Sequence, residues 1–361
     1  MGLVLNQIAD FSDSGEGAAF VYRGIAIPRV SGLIGNSGEF FVSAGMNVQS
    51  EPWAYVPELL RTGFNWRSGG LELTAGRMDY SDPLGYIASG LFDGGRVSLF
   101  TGAGTFSAGA WYTGLSYKKR ANIEMTDNEW AANNAALDYQ DFFNTYFAPR
   151  RVLASLDWEH QGLGNRAVAR LSLLGQFDLT DEKLNSQYLT GKATVPFRPF
   201  SLNLGGCFEL IEFNEKIGSA FAAEASFAWE HPVHRVSLGA TYASGESDTA
   251  PAFLPVTTNA LGQIYKSKPS GISTLYVDYT ARLHKKFSVE LTPMYFILND
   301  SQVAQGKRLL GGELFAALYW SPVSDISVNL GGGAFLYSLG DVAPDRAAKW
   351  RAEINVVLSL F

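Results

Sequence analysis

The charged residues of this chain fall on the polar side of short alternating segments. There they could steer ions, but they form no set suited to bond-making. The basic candidates are Arg23, Arg29, Arg61, Arg96, Arg166, Arg170, Lys192, Arg235, Arg282, Lys349 and Arg351. The acidic ones are Glu72, Asp157, Glu209, Glu224, Asp278, Glu290, Glu313 and Glu353. A track of fixed charges along a wet passage attracts one sign of solute and repels the other. The plainer reading is that these residues pair between neighbouring strands, because a charge removed from bulk water needs a partner. Arg23, Arg29, Lys349 and Arg351 lie where the first and last strands would meet, with Arg61 two strands away. Arg166, Arg170 and Lys192 form a second basic patch on adjacent segments. Acids are more frequent between 200–213 and 308–320. The expectation is a lumen with a basic and an acidic side, favouring anionic or zwitterionic solutes.

Bond-making chemistry finds little support. The four histidines, His160, His231, His234 and His284, fall at or beside short turns. His231 and His234 have no carboxylate or cysteine spacing that would complete a metal site. No Gly-x-Ser-x-Gly elbow is present. The single cysteine, Cys207, excludes an internal disulfide. A formal net charge of −7 argues against nucleic acid as a partner. No enzyme activity, metal or cofactor is expected.

The elements that would carry these residues are strands. From 350 to 360 every even position is apolar, and mostly polar residues sit between them. A period of two describes a strand with one greasy and one wet face. The pattern recurs at 325–339, 308–320, 286–298, 271–283, 234–244, 217–230, 200–213, 186–197, 165–178, 150–159, 104–117, 94–101, 70–78, 59–67, 39–48 and 19–33. Apolar residues make up 47% of the chain, yet the mean hydropathy is only +0.01. Helical membrane spans need runs of about 20 apolar residues, and none is found. The 38 glycines suit crowded walls and turns, and the 13% aromatics suit interfacial girdles. A soluble sandwich or propeller would show a fixed repeat and a polar outer face.

The connections alternate in length. Short links recur between segments, whereas 79–94, 118–150, 244–270 and 299–307 are long. Outer-membrane barrels have short periplasmic turns and long outer loops. This polarity sends 346–361 toward the periplasm and requires one further upward strand at the start, for which 3–11 is the candidate. The expectation is a single all-β domain over 1–361, a transmembrane barrel of eighteen strands, with sixteen as the alternative. Met1 is expected to follow a removed signal peptide, since no basic n-region or cleavage motif precedes Leu3. Loop 118–150 has helical character around 128–137 and holds Trp130, Tyr139, Phe142, Phe143, Tyr146 and Phe147. Its readings are an outer cap, an aromatic solute entry or an adhesive surface.

The stretch Leu73-Thr74-Ala75-Gly76-Arg77-Met78-Asp79-Tyr80, with Asp82-Pro83-Leu84 and Phe92-Asp93-Gly94-Gly95-Arg96-Val97-Ser98-Leu99, resembles a block of eighteen-stranded substrate-specific porins. Similar blocks occur in the alginate-export family and the outer-membrane carboxylate channels. The resemblance implies that 79–94 folds into the barrel and narrows it. Arg77 shares the parity of Leu71 and Leu73, so either Gly76 marks a bulge that turns it inward or the strand has ended. Arg77 then either braces Asp79 or Asp93, or lines the pore. The terminal Phe361 resembles the insertion signal of outer-membrane proteins. Ser359 and Asn355 occupy the register that signal reserves for apolar residues, and a bulge at Val356-Val357 would restore it.

These features predict a monomeric barrel in the bacterial outer membrane, in contact with lipid, passing small hydrophilic and anionic solutes by diffusion. Two other classes remain open: a plugged barrel moving hydrophobic compounds, and a non-conducting surface-binding barrel.

Overall fold

The computed structural model describes the chain except residues 16, 51, 52, 165, 181, 182, 214, 215, 248, 249, 301–305 and 361. The insertion-signal expectation for Phe361 therefore lies outside the described residues. The strands are β1 (Gly2–Asp13), β2 (Ala18–Ile34), β3 (Gly38–Ser50), β4 (Trp53–Ser68), β5 (Leu71–Ser81) and β6 (Ser89–Thr101). They continue with β7 (Gly104–Tyr112), β8 (Arg151–Leu163), β9 (Ala167–Asp178), β10 (Asn185–Phe197), β11 (Phe200–Phe213) and β12 (Lys216–Glu230). The last six are β13 (His234–Ala243), β14 (Ile272–His284), β15 (Phe287–Leu298), β16 (Leu309–Val323), β17 (Ile326–Leu336) and β18 (Lys349–Leu360). Between β7 and β8 lie helices α1 (Asp127–Asn134) and α2 (Phe142–Tyr146).

Each strand pairs antiparallel with the next, and β18 returns to pair with β1. The sheet is thus a closed barrel of eighteen strands. β1 is bonded on both sides, to β18 and to β2, so the sixteen-strand alternative falls. Closure removes the free edges that a membrane wall cannot tolerate. β9 shows how the alternating pattern is used. Leu171 and Leu173 point outward at 50% and 53% exposure, while Ser172 between them is 2% exposed on the inner side. An exterior so apolar is stable only against lipid.

The two ends of the barrel differ as expected. One end carries tight turns such as 69–70, 102–103, 198–199 and 285–286. The other carries 82–88, 113–150, 244–271 and 337–348. Several bounds shift from the sequence reading. β4 begins at Trp53 rather than 59, and β6 at Ser89 rather than 94, while β5 runs on to Ser81. The segment read as loop 79–94 is therefore a loop only over 82–88. β7 stops at Tyr112, and residues 337–339 form a 3-10 turn rather than strand. β9 starts at Ala167, which leaves Arg166 exposed in a periplasmic turn. β18 pairs with both neighbours in unbroken register, so Val356-Val357 is not a bulge.

One of the tightest points of the wall is a pair of facing glycines, Gly76 on β5 and Gly94 on β6. Gly76 has φ +131°, a backbone state that side chains disfavour. A Cβ on Gly94 would lie 2.0 Å from the Ala110 carbonyl oxygen of β7. Gly94→Ala should therefore push β6 from β7 and destabilise the barrel by about 1–3 kcal/mol. The urea midpoint of the refolded protein should fall, and an unchanged midpoint would contradict this account of the wall.

Candidate functional site

The lumen is crossed by three loops, and each is held by side chains of its own or of the wall. Loop 82–88 is organised by one carboxylate. Asp82 accepts the backbone N–H groups of Leu84 at 2.7 Å, Ile87 and Ala88 at 2.9 Å, and Gly85 at 3.1 Å. Burial pushes the Asp82 carboxyl above the ordinary carboxylate range, and the four amide bonds oppose that rise. The loop folds inward across the lumen. A Cβ on Gly205, on the inner face of β11, would come within 2.4 Å of Leu84 Cδ2.

Loop 244–271 spans the lumen in the other direction. Near its start, buried Glu209 on β11 accepts Leu254 N–H at 2.8 Å, and Tyr188 on β10 donates to the Leu254 carbonyl at 2.7 Å. Near its end, buried Glu313 on β16 accepts the N–H groups of Gln263, Ile264 and Tyr265 at 2.7, 3.0 and 2.7 Å. Tyr265 also stacks on Phe335 of β17. A carboxylate that takes three backbone donors is a clasp for the chain, not a free charge for a solute.

The loops are also bonded to each other. Thr257 N–H donates to the Ile87 carbonyl at 3.0 Å, Glu124 N–H to that of Val256 at 2.9 Å, and Thr258 N–H to that of Asn122 at 2.8 Å. Leu84, Ile87, Ile123, Phe253 and Val256 pack with inner-face residues Phe92, Trp111, Leu153, Leu174 and Tyr188 into one apolar cluster. Loop 113–150 is fixed by α1. Thr126 and Glu129 form a capping box at its start. Fully buried Arg151 on β8 binds Glu129 at 2.6 Å and Asp178 at 2.6 Å. α1 lies where helical character was expected; α2 was not anticipated.

What the loops leave open is polar. A cavity of about 910 Å³ lies between loop 113–150 and strands β1–β4. Arg23, Lys119, Arg120, Asn6, Asn47 and Gln49 are among its lining residues. Closer to the periplasmic turns, a cavity of about 340 Å³ faces Glu72, Arg96, Asp157, Glu159 and Arg170.

Of the residues singled out in the sequence, Arg23 is exposed into the larger cavity, and Arg29 sits lower on the same face of β2. Arg351 bonds Asp10 and Glu353, each at 2.7 Å. Arg61 pairs with Asp79. Arg77 is only 5% exposed and grips Asp93 at 2.7 Å, with a further bond to the Leu59 carbonyl. Of the two readings of Arg77, bracing is the arrangement found. Arg170 and Lys192 are direct cross-strand neighbours, but Glu159 holds the first and Glu224 the second. With Arg166 in its turn, the second basic patch is largely neutralised. Arg235 lies 3.8 Å from Glu230 at the periplasmic rim. Arg282 is exposed near the same rim, and Glu290 accepts from Tyr319 at 2.8 Å. Arg96 has a buried Nε without a hydrogen-bond partner. Among the described residues, Arg23, Arg29, Arg96 and Arg282 form no ion pair. Lys119, Arg120 and Lys266 were missed, because loop cations carry no periodic signal. The run Lys118-Lys119-Arg120 at the head of the longest loop was the available hint.

No protein-family model matches the chain, and no curated protein matches it. Solved structures do. The chain is similar to Pseudomonas aeruginosa OccK2 (OpdF) in complex with glucuronate, with TM-score 0.68 and 14% identity over 99% of this chain and 97% of that one. It is similar to P. aeruginosa OpdK with vanillate, with TM-score 0.68 and 12% identity over 99% and 97%. It is also similar to P. aeruginosa OccK10 (OpdN), with TM-score 0.64 and 14% identity over 99% of each chain. The chain therefore has, along almost its whole length, the fold of these outer-membrane barrels.

Proposed function

We propose that this chain is a monomeric, lipid-embedded channel of the bacterial outer membrane that passes small hydrophilic anions, carboxylates above all, by diffusion. The observation that carries the reading is the larger cavity. In a chain of net charge −7, the space that the inward loops leave open presents Arg23, Lys119 and Arg120. Arg120 is shared with Glu58 at 2.8 Å, and Lys119 donates to Asn134. Arg23 forms no ion pair among the described residues and is the cation most available to a solute. Arg29 below it and Lys266 beside it extend the track. Separate weak sites suit conduction, because a solute must leave each as readily as it enters. The two fold neighbours solved with glucuronate and vanillate hold carboxylates, which is the class this track would favour. Nothing in the arrangement calls for bond-making, so the proposed activity is passage and not catalysis.

Arg23→Gln should shift the reversal potential under a salt gradient toward cations and slow glucuronate entry into proteoliposomes, with conductance retained. Unchanged selectivity would remove Arg23 from the path.

Lys266 provides a pH test. Enclosure within the lumen, then the nearby Arg351 and Arg23 charges, hold its ammonium below the ordinary lysine range, against the pull of Asp10 and Glu353. As pH rises from neutral, Lys266 therefore loses its charge before exposed lysines do. Burial lowers Lys119 in the same cavity as well. Anion preference should therefore begin to decline below the pH at which exposed lysines titrate, and Lys266→Arg, which stays charged, should make that decline clearly smaller. The same decline in Lys266→Arg would contradict the assignment.

A further inference from the structure

The barrel wall is not bonded over its whole height. β4 pairs with β3 up to Trp53↔Ser50, yet it pairs with β5 only from Thr62↔Arg77 down to Ser68↔Leu71. Beyond that point β5 continues along β6 as far as Ser81↔Ser89. Among the described residues, 53–61 of β4 and 78–81 of β5 have no strand partner on the edges that face each other. At about 3.3 Å per residue the open β4 edge is roughly 30 Å long. Unmet backbone groups in a membrane wall are costly, and here side chains satisfy several of those on the β4 edge.

The satisfaction follows the period of a strand edge. Tyr139 Oη accepts Tyr55 N–H at 3.3 Å and donates to the Tyr55 carbonyl at 2.9 Å. Tyr146 Oη donates to the Pro57 carbonyl at 2.7 Å. The Arg77 guanidinium donates to the Leu59 carbonyl while it holds Asp93. Residues 55, 57 and 59 are successive positions of one edge, and Pro57 has no N–H that a β5 extension could use. Two of the three partners come from loop 113–150, in the segment 138–147 that contains α2. Tyr146 and Tyr117 pack on Val56, with Phe142 and Phe147 against them.

Both sides of this closure are informative. Behind it lies a cavity of about 200 Å³ lined by Leu59, Leu60, Leu91, Phe92, Tyr117 and Arg120. Arg120, Tyr117 and Glu58 also line the larger basic cavity, so one partition of side chains separates the two. In front of it, Tyr55 and Phe143 are 62% and 78% exposed, whereas Trp53 and Tyr139, 68% and 58% exposed, also line the basic cavity and so sit at the rim between it and the outside. Aromatic rings clustered on the outside of a barrel mark the lipid headgroup boundary.

We propose that the outer half of the β4–β5 seam is a lateral portal, closed by segment 138–147 as a displaceable plug. The portal links the basic cavity with the outer-leaflet boundary and admits the apolar part of an amphiphilic anion whose head stays at Arg120 and Lys119. The wall is complete only while the two tyrosine hydroxyls are docked.

The test uses a single cysteine, Leu60→Cys, in a Cys207→Ala background, refolded into lipid vesicles. Leu60 lines the cavity behind the seam. The probes are a long-chain N-alkyl maleimide that partitions into the bilayer and a sulfonated maleimide confined to water. Each lost hydrogen bond of about 1 kcal/mol should raise exposure about fivefold. Adding Tyr139→Phe and Tyr146→Phe should therefore speed labelling by the lipid-borne probe at least tenfold. The fold of each variant is checked by its heat-dependent shift on a gel. If the double variant does not fold, Tyr146→Phe alone, which keeps the ring packing, should give about a fivefold gain. No gain in a folded variant would overturn the portal. So would a gain seen only with the sulfonated probe, which would mean that the loop opens to the vestibule and not through the wall.

Discussion

A backbone amide inside hydrocarbon has only the protein itself to bond, and each unmet group costs several kcal/mol. That constraint shapes this molecule from the strands inward. It is why the sheet closes, with β1 bonded to both β18 and β2. It is also why the open stretch of β4 is capped by Tyr139, Tyr146 and Arg77 instead of being left bare.

The same demand recurs within the lumen, where loops leave the strand ladder and need other acceptors. Asp82, Glu209 and Glu313 each take backbone donors from a loop that crosses the interior. Arg151 does the converse and ties α1 to the wall through two carboxylates. Breaking such a buried pair would strand a charge, at about 3–5 kcal/mol. The charges therefore divide into two sets. One set holds the loops and braces the walls. The other, led by Arg23, is left facing water, and it is the set that a solute can meet.

The sequence reading succeeded where one face meets lipid. The even positions of β18 were legible because Trp350, Ile354 and Leu360 all point outward. It failed where a loop covers the inner face. In the outer part of β4 and at the start of β6, Val56 and Phe92 are buried beneath loops, so both faces read as apolar and the period of two is lost. Those are the stretches where β4 and β6 were read as starting late. Arg77 stood out by its parity, and both candidate partners were visible; choosing Asp93 required the register of β5 against β6. Lys119, Arg120 and Lys266 owe their place to contacts between loops distant in sequence, such as Thr257 with Ile87. The short list of charges was thus readable, but the sorting of braces from free cations was not.

Single-channel recording of the refolded wild-type protein in a planar bilayer under a potassium chloride gradient tests the central claim most directly. The account predicts a steady conductance with a reversal potential displaced toward chloride. A correctly folded barrel that carries no current, or one that prefers potassium, would contradict it.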